Sequence, residues 1–235
     1  MPGPVALVGA GEFTPAMAEV DADLLAATGR RRPRVAVVPT ASFPDGEDTF
    51  QRWAAQGIDH FSTLGAEVEA ILIRDRGDAE DLEHVQAISE ADLIYFSGGK
   101  PDHLLRVLRD SRAWEAVTAA HARGAVLAGC SAGAMVLAAR QPELRGGKLP
   151  FPLRWQTALG VVDGAAVMPH YDRFPEPLAA LVALQAPKGM VLLGIDEDTA
   201  LVGSDGAWQV QGRARVTVWR GRHRVRHWSG DTFRL

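Results

Sequence analysis

Five short runs of β-branched and apolar residues, at 5–8, 35–38, 68–73, 93–96 and 125–128, alternate with amphipathic stretches near 15–28, 47–64, 78–89 and 102–121. Short, wholly apolar runs suit strands buried on both faces, and parallel strands need a helical crossover between them. The alternation predicts an α/β fold: a mainly parallel sheet with helices on both faces. Past residue 140 the pattern changes. Residues 141–157, with Pro142, Gly146, Gly147, Pro150 and Pro152, read as a loop bordering any site. Short strands, a helix near 176–185 and a C-terminal antiparallel β-meander follow.

Ligands of such sheets sit beyond the carboxyl ends of the strands. Four strand ends carry informative residues: Gly9-Ala10-Gly11-Glu12, Pro39-Thr40-Ala41-Ser42, Ser97-Gly98-Gly99-Lys100 and Gly129-Cys130-Ser131-Ala132-Gly133. All four are expected on one rim. The first is a poor dinucleotide fingerprint, because Thr14 stands where the third glycine belongs and Pro15 follows. It reads as a tight turn.

The fourth has the form of a nucleophile elbow. It joins an apolar strand to Ala134-Met135-Val136-Leu137-Ala138-Ala139, which reads as a helix. A serine on so sharp a turn needs small residues two positions away on either side, and Gly129 and Gly133 frame Ser131 in this way. Cys130 is the rival nucleophile, but its corresponding neighbours are Ala128 and Ala132. A serine hydroxyl needs a base, and the base needs an orienting partner. Of seven histidines, His60, His84 and His121 fall on exposed helix positions, and His223 and His227 in the basic meander. His103 starts a helix beside the Gly98-Gly99 turn, whereas His170 follows an apolar run at another strand end and is the better base. The partner is expected among Asp196, Glu197 and Asp198, and spacing does not choose between them.

Bulk properties limit the function classes. At 235 residues, 47% hydrophobic and 23% charged, the chain is ordinary for a globular protein. A net charge of −4 implies neither nucleic acid nor a membrane surface as partner. One cysteine excludes an internal disulfide and a cysteine zinc cluster. With no signal-peptide-like start and no apolar span, a cytoplasmic location is expected. Seven arginines against one acid give residues 206–235 a charge of +6. These arginines alternate with Val210, Val216, Val218, Val225 and Trp228, as on the solvent face of antiparallel strands.

Tyr95-Phe96-Ser97-Gly98-Gly99, Gly129-Cys130-Ser131-Ala132-Gly133-Ala134, Pro169-His170 and Gly194-Ile195-Asp196-Glu197-Asp198-Thr199-Ala200-Leu201 together resemble peptidase family S51, the family of aspartyl dipeptidase (dipeptidase E) and cyanophycinase. The resemblance runs from Val5 to the final meander. It implies a class I glutamine amidotransferase-like, flavodoxin-like three-layer fold and a single domain over residues 1–235. It also implies Ser131 as nucleophile, His170 as base, Glu197 as orienting acid, and the Gly99 and Ala132 N–H groups as the oxyanion hole. The order Ser, His, Glu differs from that of ordinary α/β-hydrolases, where the acid precedes the histidine. Lys100-Pro101 replaces the glutamine that cyanophycinases carry after the Gly-Gly turn, and Met168-Pro169 replaces the polar residues before their histidine. The expected function is therefore that of a serine peptidase or amidohydrolase, dipeptidase E-like or cyanophycinase-like, acting on a small peptide without metal or cofactor. Lys100 or Arg173 would meet an acidic substrate. A non-catalytic binding or regulatory protein and an acyl-ester hydrolase are the alternatives, and a homodimer is left open.

Overall fold

The computed structural model describes residues 1–144, 150–204 and 206–235. Gly146 and Gly147 of the expected loop lie outside the described residues. The parallel part of the main sheet is built from β1 (Val5–Val8), β2 (Arg34–Val38), β3 (Glu67–Ala70), β4 (Leu93–Phe96) and β5 (Val126–Cys130), in the spatial order β1-β5-β4-β2-β3. Strand β1 lies between β5, parallel to it, and a later antiparallel strand.

Side-chain alternation along these strands separates two cores. Ala6, Val8, Val35, Val37, Leu93, Tyr95, Val126 and Ala128 face one way. They pack on α1 (Ala18–Ala27) and α2 (Glu47–Thr63) through Val20, Leu24, Leu25 and Phe61. Leu7, Ala36, Val38, Ile94, Phe96 and Leu127 face the other way. There they meet α3 (Leu82–Ser89), α4 (Pro101–Leu108), α5 (Arg112–Ala122) and α6 (Ala132–Leu137). The predicted α/β sheet with helices on both faces is the one observed.

Several local expectations change. The helix expected over 102–121 is two, because Asp110 adopts a left-handed φ of 57° and the Ser111 hydroxyl caps α5 by accepting from the Trp114 N–H at 3.0 Å. The one expected over 78–89 begins as a 3-10 turn at Asp78–Glu80 before α3. Residues 141–157 are not only loop: β6 (Arg140–Pro142) and β7 (Trp155–Thr157) pair there as a hairpin. The hairpin is tied to the start of α4 by the Asp102 carboxylate, which accepts from Gln141 Nε2 (2.9 Å), Gln156 Nε2 (2.7 Å) and the Leu144 N–H (3.2 Å).

The terminal meander is also divided. A second sheet of four strands joins β8 (Ala165–Met168), β9 (Val191–Ile195), β12 (Arg215–Arg220) and β13 (His223–Trp228), whereas β10 (Thr199–Ser204), β11 (Ala207–Gly212) and β14 (Thr232–Arg234) extend the main sheet beyond β1. The chain therefore passes between sheets at each of the connections 196–198, 213–214 and 229–231. The inner face of the second sheet, with Val167, Leu193, Ile195, Val216 and Val218, joins the main core. Its outer face packs on α7 (Glu176–Leu184) through Met168, Leu192, Trp219, Ala179 and Val182. Val210, Val216 and Val218 point inward as expected, but Val225 and Trp228 on β13 are exposed. Arg224 and Arg226 of that strand both reach Glu176 on α7, so part of the basic C-terminal charge is paired within the chain.

Candidate active site

The turn between β5 and α6 places Ser131 at φ 49°, ψ −104°, a conformation that side chains adopt only where the surroundings enforce it. The enforcement is steric. A Cβ at Gly129 would lie 2.5 Å from the Gly133 carbonyl carbon, and one at Gly133 would lie 2.4 Å from the Phe96 oxygen. Any larger residue at either position would push α6 off β4 and β5. The turn is pinned further by the Ser131 N–H, which donates to the Val8 oxygen at 2.9 Å.

His170 follows β8 and also has a left-handed φ, 51°. Its N–H donates to the Gly9 oxygen at 3.3 Å, which ties the second sheet to the rim of the first. This bend carries the imidazole over the elbow, with Nε2 3.0 Å from Ser131 Oγ. Its Nδ1 lies 2.9 Å from Glu197 Oε1. Glu197 occupies the connection between β9 and β10, where its N–H donates to Asp172 Oδ1 at 2.9 Å. Its other oxygen, Oε2, accepts from Arg173 Nε (3.0 Å) and Nη2 (2.7 Å). The Arg173 guanidinium first, and His170 second, hold the Glu197 carboxyl below the usual glutamate range. With Glu197 ionised, the Nδ1–H tautomer of His170 is favoured, leaving Nε2 free to accept the serine proton.

The three candidate acids separate clearly in space. Asp196 is buried and pairs with Arg215 at 3.2 Å, its pKa raised mainly by burial. Asp198 takes a left-handed φ of 52° and its N–H donates to the Ala10 oxygen at 3.1 Å. Of the three, Glu197 is the one in contact with His170. Among the rival histidines, His103 bonds the Arg74 oxygen through Nε2, away from the elbow. His60, expected in solvent, is instead nearly buried, with Nε2 2.8 Å from the fully buried Asp21 carboxylate.

Cys130 is fully buried. Its thiol is pushed well above the usual cysteine range by burial and by Glu12, so it stays protonated. It donates to Glu12 Oε2 at 2.8 Å, while Glu12 Oε1 accepts from the Gly98 N–H at 2.8 Å. One buried carboxylate thus links the Gly98-Gly99 turn to the residue preceding Ser131. The sequence placed Glu12 at a strand end without giving it a task, because a pairing across 118 residues leaves no local signal.

Gly99 and Ala132 line the cavity above Ser131. Among the described residues their N–H groups have no hydrogen-bond partner. A side chain at Gly99 is barred twice, by a φ of 138° and by the Ala41 oxygen 2.3 Å from its Cβ position. Of the two cations expected near an acidic substrate, Lys100 is paired with Asp45 at 3.0 Å and stands outside the cavity lining. Arg173 lines the cavity with its guanidinium turned to Glu197. Among the described residues, no group of three or more histidine, cysteine or acidic side chains is arranged to hold a metal ion. None of the described helices is long and apolar enough to cross a membrane.

The sequence profile of peptidase family S51 matches residues 5–210. A cyanophycinase of Synechococcus elongatus is 30% identical over 199 residues, covering 78% of this chain and 58% of that protein. One of Nostoc sp. is 30% identical over 165 residues, covering 67% and 55%. The chain thus spans little more than half the length of the curated relatives it matches. The crystal structure of a peptidase from an acI-B1 Actinobacterium superposes with a TM-score of 0.89 at 32% identity, over 100% of this chain and 98% of that one. The chain belongs to peptidase family S51.

Proposed function

We propose that this chain hydrolyses an amide bond in a small peptide through a Ser131-His170-Glu197 triad. The observation that carries the reading is the continuous line of contacts from Ser131 Oγ to His170 Nε2 (3.0 Å) and from His170 Nδ1 to Glu197 Oε1 (2.9 Å). His170 takes the serine proton as Oγ attacks the carbonyl carbon. The resulting oxyanion is met by the Gly99 and Ala132 N–H groups. His170, now an imidazolium held by Glu197, then protonates the leaving amine. Water enters along the same path, His170 removes its proton, and the acyl-enzyme is released as the acid with Ser131 restored. Arg173 acts through Glu197 as a positioning residue.

Replacing Ser131 with alanine tests the reading. Peptide hydrolysis and labelling by diisopropyl fluorophosphate are both expected to vanish, with the thermal midpoint nearly unchanged. Hydrolysis by the variant at the wild-type rate would refute the mechanism.

A further inference from the structure

The cavity over Ser131 has a volume of about 630 Å³, within the range of small-molecule sites. Its apolar walls include Met135 on α6, Trp155 on β7, Met168 on β8, and Phe174, Leu178 and Val182 on or just before α7. Met135, Met168 and Val182 belong to the buried core and are fixed by it. Phe174 and Leu178 are half-buried and form part of the open wall. Among the described lining residues the only permanent charge is on Arg173, and its guanidinium already holds Glu197. Ser131 and both candidate oxyanion donors, Gly99 and Ala132, open into this same space. A substrate whose carbonyl reaches them therefore rests its acyl residue against these apolar walls.

We infer that the chain is selective for peptides whose acyl residue, the one that donates the attacked carbonyl, carries an uncharged apolar side chain such as that of leucine, methionine or phenylalanine. An aspartyl carboxylate placed there would lose its water and, among the described residues, meet no unpaired cation, because Lys100 is turned to Asp45 and Arg173 to Glu197. An apolar side chain gains from the same desolvation. The inference rests on the serine-hydrolase reading and adds the substrate class to it.

The test compares kcat/KM for Leu-Ala and Phe-Ala with that for Asp-Ala on the whole chain. Labelling of Ser131 by diisopropyl fluorophosphate is followed in parallel. The apolar peptides are expected to lead by about 100-fold. In Leu178→Arg, or in Phe174→Arg should the first variant fold poorly, the added cation should compress that ratio by at least about tenfold. The inference is overturned if Asp-Ala is cleaved as fast or faster, if neither variant moves the ratio, or if no dipeptide is cleaved while Ser131 is still labelled. Loss of both labelling and cleavage in the wild-type chain would instead refute the underlying mechanism.

Discussion

Replacement of Glu197 by glutamine preserves shape and removes one acceptor, and the surroundings dictate which acceptor is lost. In the native site Oε2 receives two donors from Arg173, at 3.0 and 2.7 Å, and Oε1 faces a single nitrogen, His170 Nδ1, at 2.9 Å. An amide has one oxygen to offer. Two guanidinium donors against one imidazole donor turn that oxygen toward Arg173 and the NH₂ group toward His170. The imidazole then accepts at Nδ1 and carries its proton on Nε2, where it faces Ser131 Oγ and is unable to take the serine proton. A triad locked in the wrong tautomer loses roughly 10³–10⁴ in kcat, equivalent to about 4–5.5 kcal/mol of transition-state stabilisation. The assay is kcat on the best-cleaved dipeptide, with a thermal melt as the folding control. Arg173→Ala in the Glu197→Gln background frees the amide to flip and should recover at least about tenfold over the single variant. A Glu197→Gln loss below tenfold, or an equal loss in Asp196→Asn or Asp198→Asn, would refute the argument. So would a double variant worse than Glu197→Gln alone.

Glu12→Ala leaves the Gly98 N–H and the Cys130 thiol without their buried acceptor, and should cost about 1–3 kcal/mol for each group left unpaired. If Glu12 positions the Gly99 donor, kcat should fall by roughly 10–100-fold with KM little changed, and Glu12→Gln, which keeps one acceptor, should restore part of it. A variant that only melts earlier, with native kcat, would reduce Glu12 to a structural role. Glu197 is held below its ordinary value of 4.5, chiefly by Arg173. A depressed carboxylate contributes stability above its unfolded pKa and loses it as pH falls through the folded value. Arg173→Ala should therefore melt below the wild type at neutral pH, with the gap closing once the pH drops well under 4.5. A gap that persists unchanged at pH 3 would contradict this assignment of the shift.

What could be read without coordinates was local. The apolar runs at 5–8, 35–38, 93–96 and 125–128 became parallel strands, because residues buried on both faces advertise themselves in any short window. Gly129, Ser131 and Gly133 announced a strand-to-helix turn, and His170 was legible as a residue just past a strand. What stayed hidden depended on distant partners. His60 looks like a solvent-facing helix residue until Asp21 is placed against it from another helix. The break at Asp110 looks like ordinary helix, since a single left-handed residue has no periodicity to disturb. The even run of strands after 190 conceals its division, because alternation sets which face a side chain takes and not which sheet a strand joins.

That division has a consequence for how the molecule comes to life. Ser131 is in place once β1, β4 and β5 have paired, but His170 and Glu197 ride on the second sheet and on a segment that bridges the two. Strand β9 pairs with β12 of the second sheet, and β10 with β1 of the first. The bridge holding Glu197 is thus anchored only after strands nearly 200 residues apart have found each other, the kind of long-range closure that folding reaches late. Under the proposed mechanism, a half-folded or newly emerging chain would carry Ser131 without its base, and hydrolytic competence would arrive only with the finished fold.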